Sequence, residues 1–180
     1  KLGINSADIQ SCNVPTLVEG VRGIAKVSCG QSHTLALGYE GDCYSWGQGF
    51  FGALGNESSR NVHQPERVKL DEIVDVEAGG RHSIFMTAKK QIYVCGDASE
   101  GQLGLEPRPN MERVHKPQKL THFEGQNIEM AACGKLHSLL LVDGQVWYLG
   151  DKRAPYKMNL PERAVQISAW YSSAALVQSG

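Results

Sequence analysis

The chain has 180 residues and a formal net charge of −1, which argues against broad electrostatic binding to nucleic acid or to anionic membranes. Its 41% hydrophobic and 21% charged residues argue against disorder, and no apolar run approaches the ~20 residues of a membrane-spanning helix. Glycine is abundant at 20 residues, and because glycine weakens helices and supplies turns, a turn-rich β protein is predicted.

Four short β-type runs, separated by glycine turns and one long polar loop, form the first complete unit of the chain. They cover residues 24–29, 33–37, 43–46 and 66–70. No segment carries a helical apolar stripe ten residues long, so helices are expected to be nearly absent. Four antiparallel strands in a unit of ~50 residues are typical of a β-propeller blade.

The same unit recurs along the chain. Three segments align on a histidine that follows a glycine by three residues: Gly30 and His33, Gly79 and His82, and Gly134 and His137. A second set of glycines keeps the same phase after the third run of each unit: Gly47, Gly55, Gly96, Gly104 and Gly150. The glycines before the histidines are expected at sharp turns with φ values that penalise a Cβ.

The later units depart from this regular pattern. Four residues separate Gly150 from the next proline, against seventeen in the first unit, so a loop is deleted there. In the last unit Trp170 takes the glycine position and Ser173 the histidine position, which is expected to change the backbone geometry. The predicted division is the end of a blade at 1–20, blades at 24–70 and 73–120, a contracted blade at 128–160 and the start of a further blade at 164–180.

The repeated pattern is an apolar residue, two small residues, Gly, two free positions, His, a small residue and alternating apolar residues. This pattern resembles the regulator of chromosome condensation repeat family over essentially the whole chain, and the second unit departs from it only at Glu77. The resemblance implies an all-β propeller of seven four-stranded antiparallel blades, or about 350 residues at ~50 each. The chain would then hold about three and a half repeats and be a segment of a longer propeller. A closed four-bladed ring is the alternative.

The sequence contains little that indicates a catalytic, metal or cofactor site. His33, His82 and His137 could form a ring of metal ligands, but no carboxylate or thiolate accompanies them at ligand spacing. We interpret each as structural, donating a hydrogen bond that pins the turn of its own blade. Residues 47–52 match a dinucleotide-binding Gly-x-Gly-x-x-Gly, but no helix follows. We therefore expect no catalytic, cofactor or metal site, no cofactor, no small-molecule substrate and no enzymatic activity.

The cysteines and tryptophans are interpreted as packing residues. The five cysteines are odd in number and lack paired spacing, which fits neither a disulfide framework nor a zinc site. They indicate reduced thiols in an intracellular protein, cytoplasmic or nuclear. Trp46, Trp147 and Trp170 are expected to pack within the blades.

Two loops carry candidate contacts with partners. The first contains the adjacent Phe50 and Phe51, and the second contains Arg108 and Arg113. Exposed aromatic residues and arginines are favoured at protein interfaces. The alternative is that the phenylalanines pack between blades and the basic residues are only solvated.

The resemblance implies a scaffold for protein–protein interaction, without catalysis, within a larger intracellular protein. The alternative that it implies is guanine-nucleotide exchange on a Ran-type small GTPase, which would need an inserted hairpin and acidic loop residues that these repeats do not identify. Protein partners are expected, membrane association is not, and the net charge of −1 disfavours nucleic acid or chromatin.

Overall fold

A computed structural model of the chain describes residues 2–4, 11–106, 111–171 and 173–178, the last range by its backbone. Within these residues, strands joined by turns and loops make up the fold, and the single helix is a 3-10 turn at Thr121–Phe123. None of the helical structure described is long and apolar enough to cross a membrane. The predicted all-β class is confirmed.

The described strands form three four-stranded sheets and one two-stranded sheet, and within each sheet strands adjacent in the chain pair antiparallel. The first sheet contains β1 (Ile24–Cys29), β2 (His33–Gly38), β3 (Cys43–Gly47) and β4 (Val62–Arg67). The second contains β5 (Ile73–Ala78), β6 (His82–Thr87), β7 (Ile92–Asp97) and β8 (Arg113–Lys119). The third contains β9 (Ile128–Cys133), β10 (Ser138–Val142), β11 (Gln145–Leu149) and β12 (Tyr156–Lys157). The last contains β13 (Ala164–Trp170) and β14 (Ser173–Gln178).

The sheets stack in chain order through their faces. Strand β5 packs against β1 and β2, β9 against β5 and β6, and β13 against β9 and β10. Strand β10 shows why a single sheet could not bury its apolar side chains alone. Its Leu140 and Val142 belong to the core shared with the second sheet, and Leu139 and Leu141 to the core shared with the fourth. Both faces of this strand are apolar, so each needs a neighbouring sheet.

The fourth strand of the first sheet begins four residues and ends three residues earlier than predicted, at Val62–Arg67 rather than 66–70. Pro65 is therefore inside the strand, although proline lacks the N–H group of a sheet ladder. Strand β4 is at the edge of its sheet, and its pairing with β3 is irregular between Ser45 and Gly47. An edge position with a bulge tolerates proline, and the local sequence did not show that this strand was an edge.

Glu77, the departure from the repeat pattern, has a partner in the neighbouring sheet. The Nζ atom of Lys26 lies 2.6 Å from Asp75 Oδ1 and 2.6 Å from Glu77 Oε1. All three side chains are partly buried, and the contacts join β1 to β5. The unusual residue therefore adds an ionic contact between two sheets.

The sheets occupy residues 24–67, 73–119, 128–157 and 164–178. Residues 2–4 and 11–20 contain no strand, so the blade end predicted at 1–20 stays a prediction. Strand β12 has two residues, and the contracted blade at 128–160 likewise stays a prediction.

Candidate functional site

In the three four-stranded sheets, the turn between the first two strands is closed by the glycine and the histidine. The N–H group of Gly30 donates to the carbonyl oxygen of His33 at 3.0 Å, and the next two turns have the same bond at 2.9 Å. The imidazole lies against its own glycine, where a Cβ atom would overlap the ring carbon Cε1. Gly30, Gly79 and Gly134 do not have positive φ angles. The predicted reason for these glycines, an unusual φ, is therefore wrong. The space for a Cβ is taken by the imidazole and, at Gly30 and Gly79, also by a carbonyl oxygen of the next turn.

The side chains of His33 and His82 each connect their own sheet to the next one. His33 Nε2 lies 2.9 Å from Ser83 Oγ, and the hydroxyl of Ser83 donates to the carbonyl oxygen of Ala53 at 2.7 Å. A serine hydroxyl has one proton, so His33 Nε2–H must be the donor in the first of these bonds. The expectation that the side chain pins the turn of its own blade is wrong, because its hydrogen bond crosses to the second sheet.

The second histidine repeats this arrangement. His82 Nε2 lies 2.8 Å from Ser138 Oγ, and the Ser138 hydroxyl donates to the carbonyl oxygen of Gln102 at 2.8 Å. Burial lowers the pKa of His33 to about 4 and that of His82 to about 3, with the charges of His33 and His137 adding to the effect at His82. Both rings are therefore neutral near pH 7 and carry their proton on Nε2.

Removing one bridging hydroxyl should be costly. We expect Ser138→Ala to lower the free energy of unfolding by about 2 kcal/mol, because the His82 N–H and the Gln102 carbonyl both lose their partner in a buried place. Urea unfolding followed by circular dichroism measures this change. Ser99→Ala, on the exposed loop after β7, is the matched control and should leave the midpoint unchanged. Equal midpoints for the two variants would contradict the bridging role.

The third histidine has no bridging serine among the described side chains. By strand register, Ala174 opposite Ala169 occupies the position that Ser138 has opposite Cys133. Alanine has no hydroxyl, and within the described residues His137 Nε2 is buried without a hydrogen-bond partner. The His137 ring instead stacks on Tyr148, with ring centroids 5.3 Å apart.

The second set of predicted glycines lies beside the same turns and in the loops that follow. Gly47 and Gly96 have φ of +112° and +117°, and a Cβ at either would overlap a carbonyl oxygen of the adjoining turn. Gly150 is in the matching position of the third sheet. Gly55 and Gly104 have φ of +64° and +63° and pack against the next unit. Within the described residues, no group of three or more His, Cys, Asp or Glu side chains is placed to hold a metal ion.

The two predicted partner loops meet beside the turn between β5 and β6. The Phe50 and Phe51 rings are 5.1 Å apart and edge to face. The guanidinium carbon of Arg113 lies 4.1 Å from the Phe50 centroid, and that of Arg81 lies 4.1 Å from the Phe51 centroid. Arg108 lies outside the described residues. Sequence reasoning missed Arg81, whose place in a turn next to His82 had no distinguishing spacing.

A similar pair of a cation and an aromatic ring lies on the third turn. Lys135 Nζ donates to the Tyr171 hydroxyl at 2.9 Å and is 4.2 Å from the ring centroid. This hydrogen bond lowers the pKa of Tyr171. Trp170 is 77% exposed, so the expectation that it packs within a blade is wrong, whereas Trp46 is buried and Trp147 packs on Phe123 at 5.2 Å between centroids.

Backbone hydrogen bonds join the turns into one surface. Gln31 N–H donates to the Gly79 carbonyl at 3.3 Å, and Gly80 N–H donates to the Gly134 carbonyl at 3.1 Å. Lys135 N–H donates to the Tyr171 carbonyl, one residue beyond the matching position, which is the changed geometry expected where Trp170 replaces glycine. We call the resulting surface the turn strip. It consists of Phe50, Phe51, Arg81, Arg113, Lys135 and Tyr171.

These features define a β-propeller repeat protein. The sequence profile described as "Regulator of chromosome condensation (RCC1) repeat" matches residues 1–37, 40–86 and 90–141, and a second profile of the same description matches residues 24–53 and 73–102. The chain belongs to the regulator of chromosome condensation (RCC1) repeat family. The matched repeat at 40–86 covers β3 and β4 of the first sheet and β5 and nearly all of β6 of the second, so the first and second sheets each combine strands from two repeats.

Similar curated proteins are much longer than this chain. The human E3 ubiquitin-protein ligase HERC2 is 30% identical over 144 residues, which are 77% of this chain and 3% of that protein. The probable human E3 ubiquitin-protein ligase HERC6 is 32% identical over 73% of this chain and 13% of its own length. The ultraviolet-B receptor UVR8 of Arabidopsis thaliana is 32% identical over 75% of this chain and 30% of its own length.

Solved structures share the fold at lower identity. Yeast RCC1 (Prp20), solved bound to Kap60, gives a TM-score of 0.78 at 22% identity, covering 91% of this chain and 43% of that one. Human WBSCR16 gives a TM-score of 0.52 at 17% identity, covering 87% and 58%. These similarities support the propeller architecture.

The expectation that the protein is not an enzyme is wrong. Relatives that share these repeats are named as ubiquitin-protein ligases, so membership of the family does not exclude catalysis by the protein that carries the repeats. The matched repeats make up 3% and 13% of these two ligases.

Proposed function

We propose that the chain is a protein-interaction module whose contact surface is the turn strip. The observation that carries the proposal is Phe50, which is 48% exposed and lies under the guanidinium of Arg113. Aromatic residues and arginines are the residue types that most often dominate binding energy at protein interfaces. The sequence placed both residues among the candidate partner contacts, and the alternative that the phenylalanines pack between blades does not fit the exposure of Phe50.

Stacking prepares these side chains for binding. A long arginine side chain normally loses rotamer freedom when it joins an interface. Arg81 and Arg113 already rest on phenyl rings, each with 4.1 Å between the guanidinium carbon and the ring centroid. Part of the ordering cost is thus met before a partner arrives, which favours recognition by this surface.

Substituting Phe50 tests the proposal. Phe50→Ala is expected to lower the capture of specific partners at least tenfold, a loss of about 1.4 kcal/mol, because the aromatic contact and the support for Arg113 both disappear. The measurement is quantitative mass spectrometry of proteins retained by the immobilised chain. Tyr39→Ala is the matched control, because Tyr39 is 80% exposed and follows the opposite end of β2. Equal retention by the wild type and Phe50→Ala would refute the role of this surface.

Guanine-nucleotide exchange on a Ran-type GTPase is a separate prediction from the family resemblance. All described strands belong to the four sheets, so no described hairpin supports it. Release of labelled GDP from such a GTPase is the direct test, and acceleration by the chain would favour exchange. An intracellular location likewise stays a prediction. In proteins such as the matched ligases, a module of this kind would recruit partners for the activity carried elsewhere.

A further inference from the structure

We infer that the turn strip binds an acidic segment of a partner protein, an inference that rests on the proposed function and specifies the chemistry of its partner. Three cations of the strip lie on aromatic rings, at 4.1 Å for Arg81 on Phe51, 4.1 Å for Arg113 on Phe50 and 4.2 Å for Lys135 on Tyr171. A guanidinium stacked in this way keeps the N–H groups at its rim available, and these match the two oxygens of a carboxylate.

The charges of the strip are not neutralised within the described residues. Elsewhere, ion pairs engage cations such as Lys26, Arg67 and Lys152. Arg81, Arg113 and Lys135 form no ion pair with any described acidic residue, although the chain as a whole carries a net charge of −1. Glu100 and Asp151 line a cavity together with Lys135 and Tyr171, but their carboxylates pair with Lys152 and Arg153. The three cations of the strip therefore have no ionic partner among the described residues, and an acidic segment would be electrostatically complementary to them.

The acidic residue opposite Arg113 in the sheet is engaged by another group. Asp97 is the register partner of Arg113 in the second sheet. Its side chain accepts the N–H of Ser99 at 3.0 Å, and the residue is 6% exposed. The carboxylate thus holds the loop after β7, and the Arg113 guanidinium faces its phenyl ring.

An apolar cavity of about 190 Å³ adjoins the strip at the third turn. Ala78, Cys133 and Trp170 contribute to its walls together with Lys135 and Tyr171. An acidic segment carrying one apolar residue at the matching end would place carboxylates on the cations and the apolar side chain in this cavity. Buried apolar anchors surrounded by polar contacts are the usual anatomy of a protein interface.

Nucleic acid fits the strip less well. Single-stranded nucleic acid is held by bases that stack on free aromatic faces along a positively charged groove. Arg81, Arg113 and Lys135 already lie over the rings of Phe51, Phe50 and Tyr171. With the chain at a net charge of −1, a protein carboxylate is the better match.

Fluorescence anisotropy of the whole chain tests the inference with three labelled probes. The first is a peptide of about 12 residues, ~40 Å when extended, made of Asp and Glu with one terminal Leu. The second replaces each acid by its amide, and the third is a single-stranded oligonucleotide of similar length. We expect the acidic peptide to bind most tightly and its affinity to fall as salt rises.

Charge reversal locates the site. Arg81→Glu with Arg113→Glu, and separately Lys135→Glu, should each weaken binding of the acidic peptide at least tenfold. Lys90→Glu is the matched control, since Lys90 lies in the turn after β6 at the opposite end of the sheet, and it should leave affinity unchanged. Arg81→Gln with Arg113→Gln provides a milder pair, and thermal melting verifies that each variant remains folded.

The outcomes separate this inference from the proposed function. Equal binding of the acidic and amide peptides, tighter binding of the oligonucleotide, or equal losses in Lys90→Glu and the strip variants would each overturn the acidic partner. The proposed function would survive any of these if Phe50→Ala still loses its captured partners. If Phe50→Ala loses none, the proposed function fails, whatever the charged variants show.

Discussion

Gly134→Ala is expected to lower the free energy of unfolding by about 2–3 kcal/mol, the cost of forcing an extra carbon into a packed site. The three heavy atoms nearest to the added Cβ would all belong to the His137 ring, with Nδ1 and Nε2 at 2.6 Å and Cε1 closer still. Backbone strain does not enter, because Gly134 does not have a positive φ. The penalty therefore depends on one imidazole.

A double-mutant cycle makes this dependence measurable. In a His137→Ala background, Gly134→Ala should cost at least ~1 kcal/mol less than in the wild type, because the obstructing ring is gone. Urea unfolding of the four proteins gives the coupling. Gly38→Ala is the control, with no positive φ and its nearest atom at an ordinary 3.4 Å. Strictly additive costs would show that the glycine is needed for some other reason.

Acidification from pH 7 to pH 5 is expected to lower the free energy of unfolding by about 4 kcal/mol, through His33 and His82 together. Their pKa values are about 4 and about 3 in the folded chain, against ~6.5 when unfolded. The unfolded chain therefore binds protons first, and stability is lost as the pH falls below ~6.5. At pH 5 each histidine is 1.5 units below its unfolded pKa, which corresponds to about 2 kcal/mol.

Other groups also titrate in this range, so the test compares variants. His33→Gln with His82→Gln should be less stable at pH 7, since buried contacts are lost, but its stability should change less between pH 7 and pH 5. Urea midpoints at the two pH values give both quantities. If wild type and variant lose the same free energy on acidification, the two imidazoles are not excluded from protonation in the folded state.

The sequence pattern predicted the bounds of a strand well where the strand pairs with the next strand through a short turn. Strand β1 has the predicted bounds, and β2 extends one residue beyond them. Both lie beside a repeated turn whose glycine and histidine are visible in the sequence. The fourth strand was misplaced because Pro65 breaks the alternating pattern, and only the position at the sheet edge explains its tolerance.

The histidine contacts were harder to anticipate because they are formed between units. The repeat pattern has a small residue after each histidine. Thr34, Ser83 and Ser138 at this position all carry a hydroxyl, which could have indicated a hydrogen-bonding role. That signal does not show which sheet the hydroxyl serves, since residues fifty positions apart are brought together only by stacking. Arg81 was missed for the same reason, as its phenyl partner comes from the preceding unit.

The offset between the family repeat and the sheet has an evolutionary consequence. The stretch 40–86 contains the carbonyl of Ala53, the imidazole of His82 and the hydroxyl of Ser83. After a tandem duplication of that stretch, the histidine of the first copy would bond the serine of the second copy. That serine would bond the carbonyl of its own copy, and Ser138 would accept from the histidine of the second copy. Genes of this kind can therefore lengthen by whole repeats while every buried polar group keeps a hydrogen-bond partner. Loss of part of a repeat would instead leave a buried polar group without its partner.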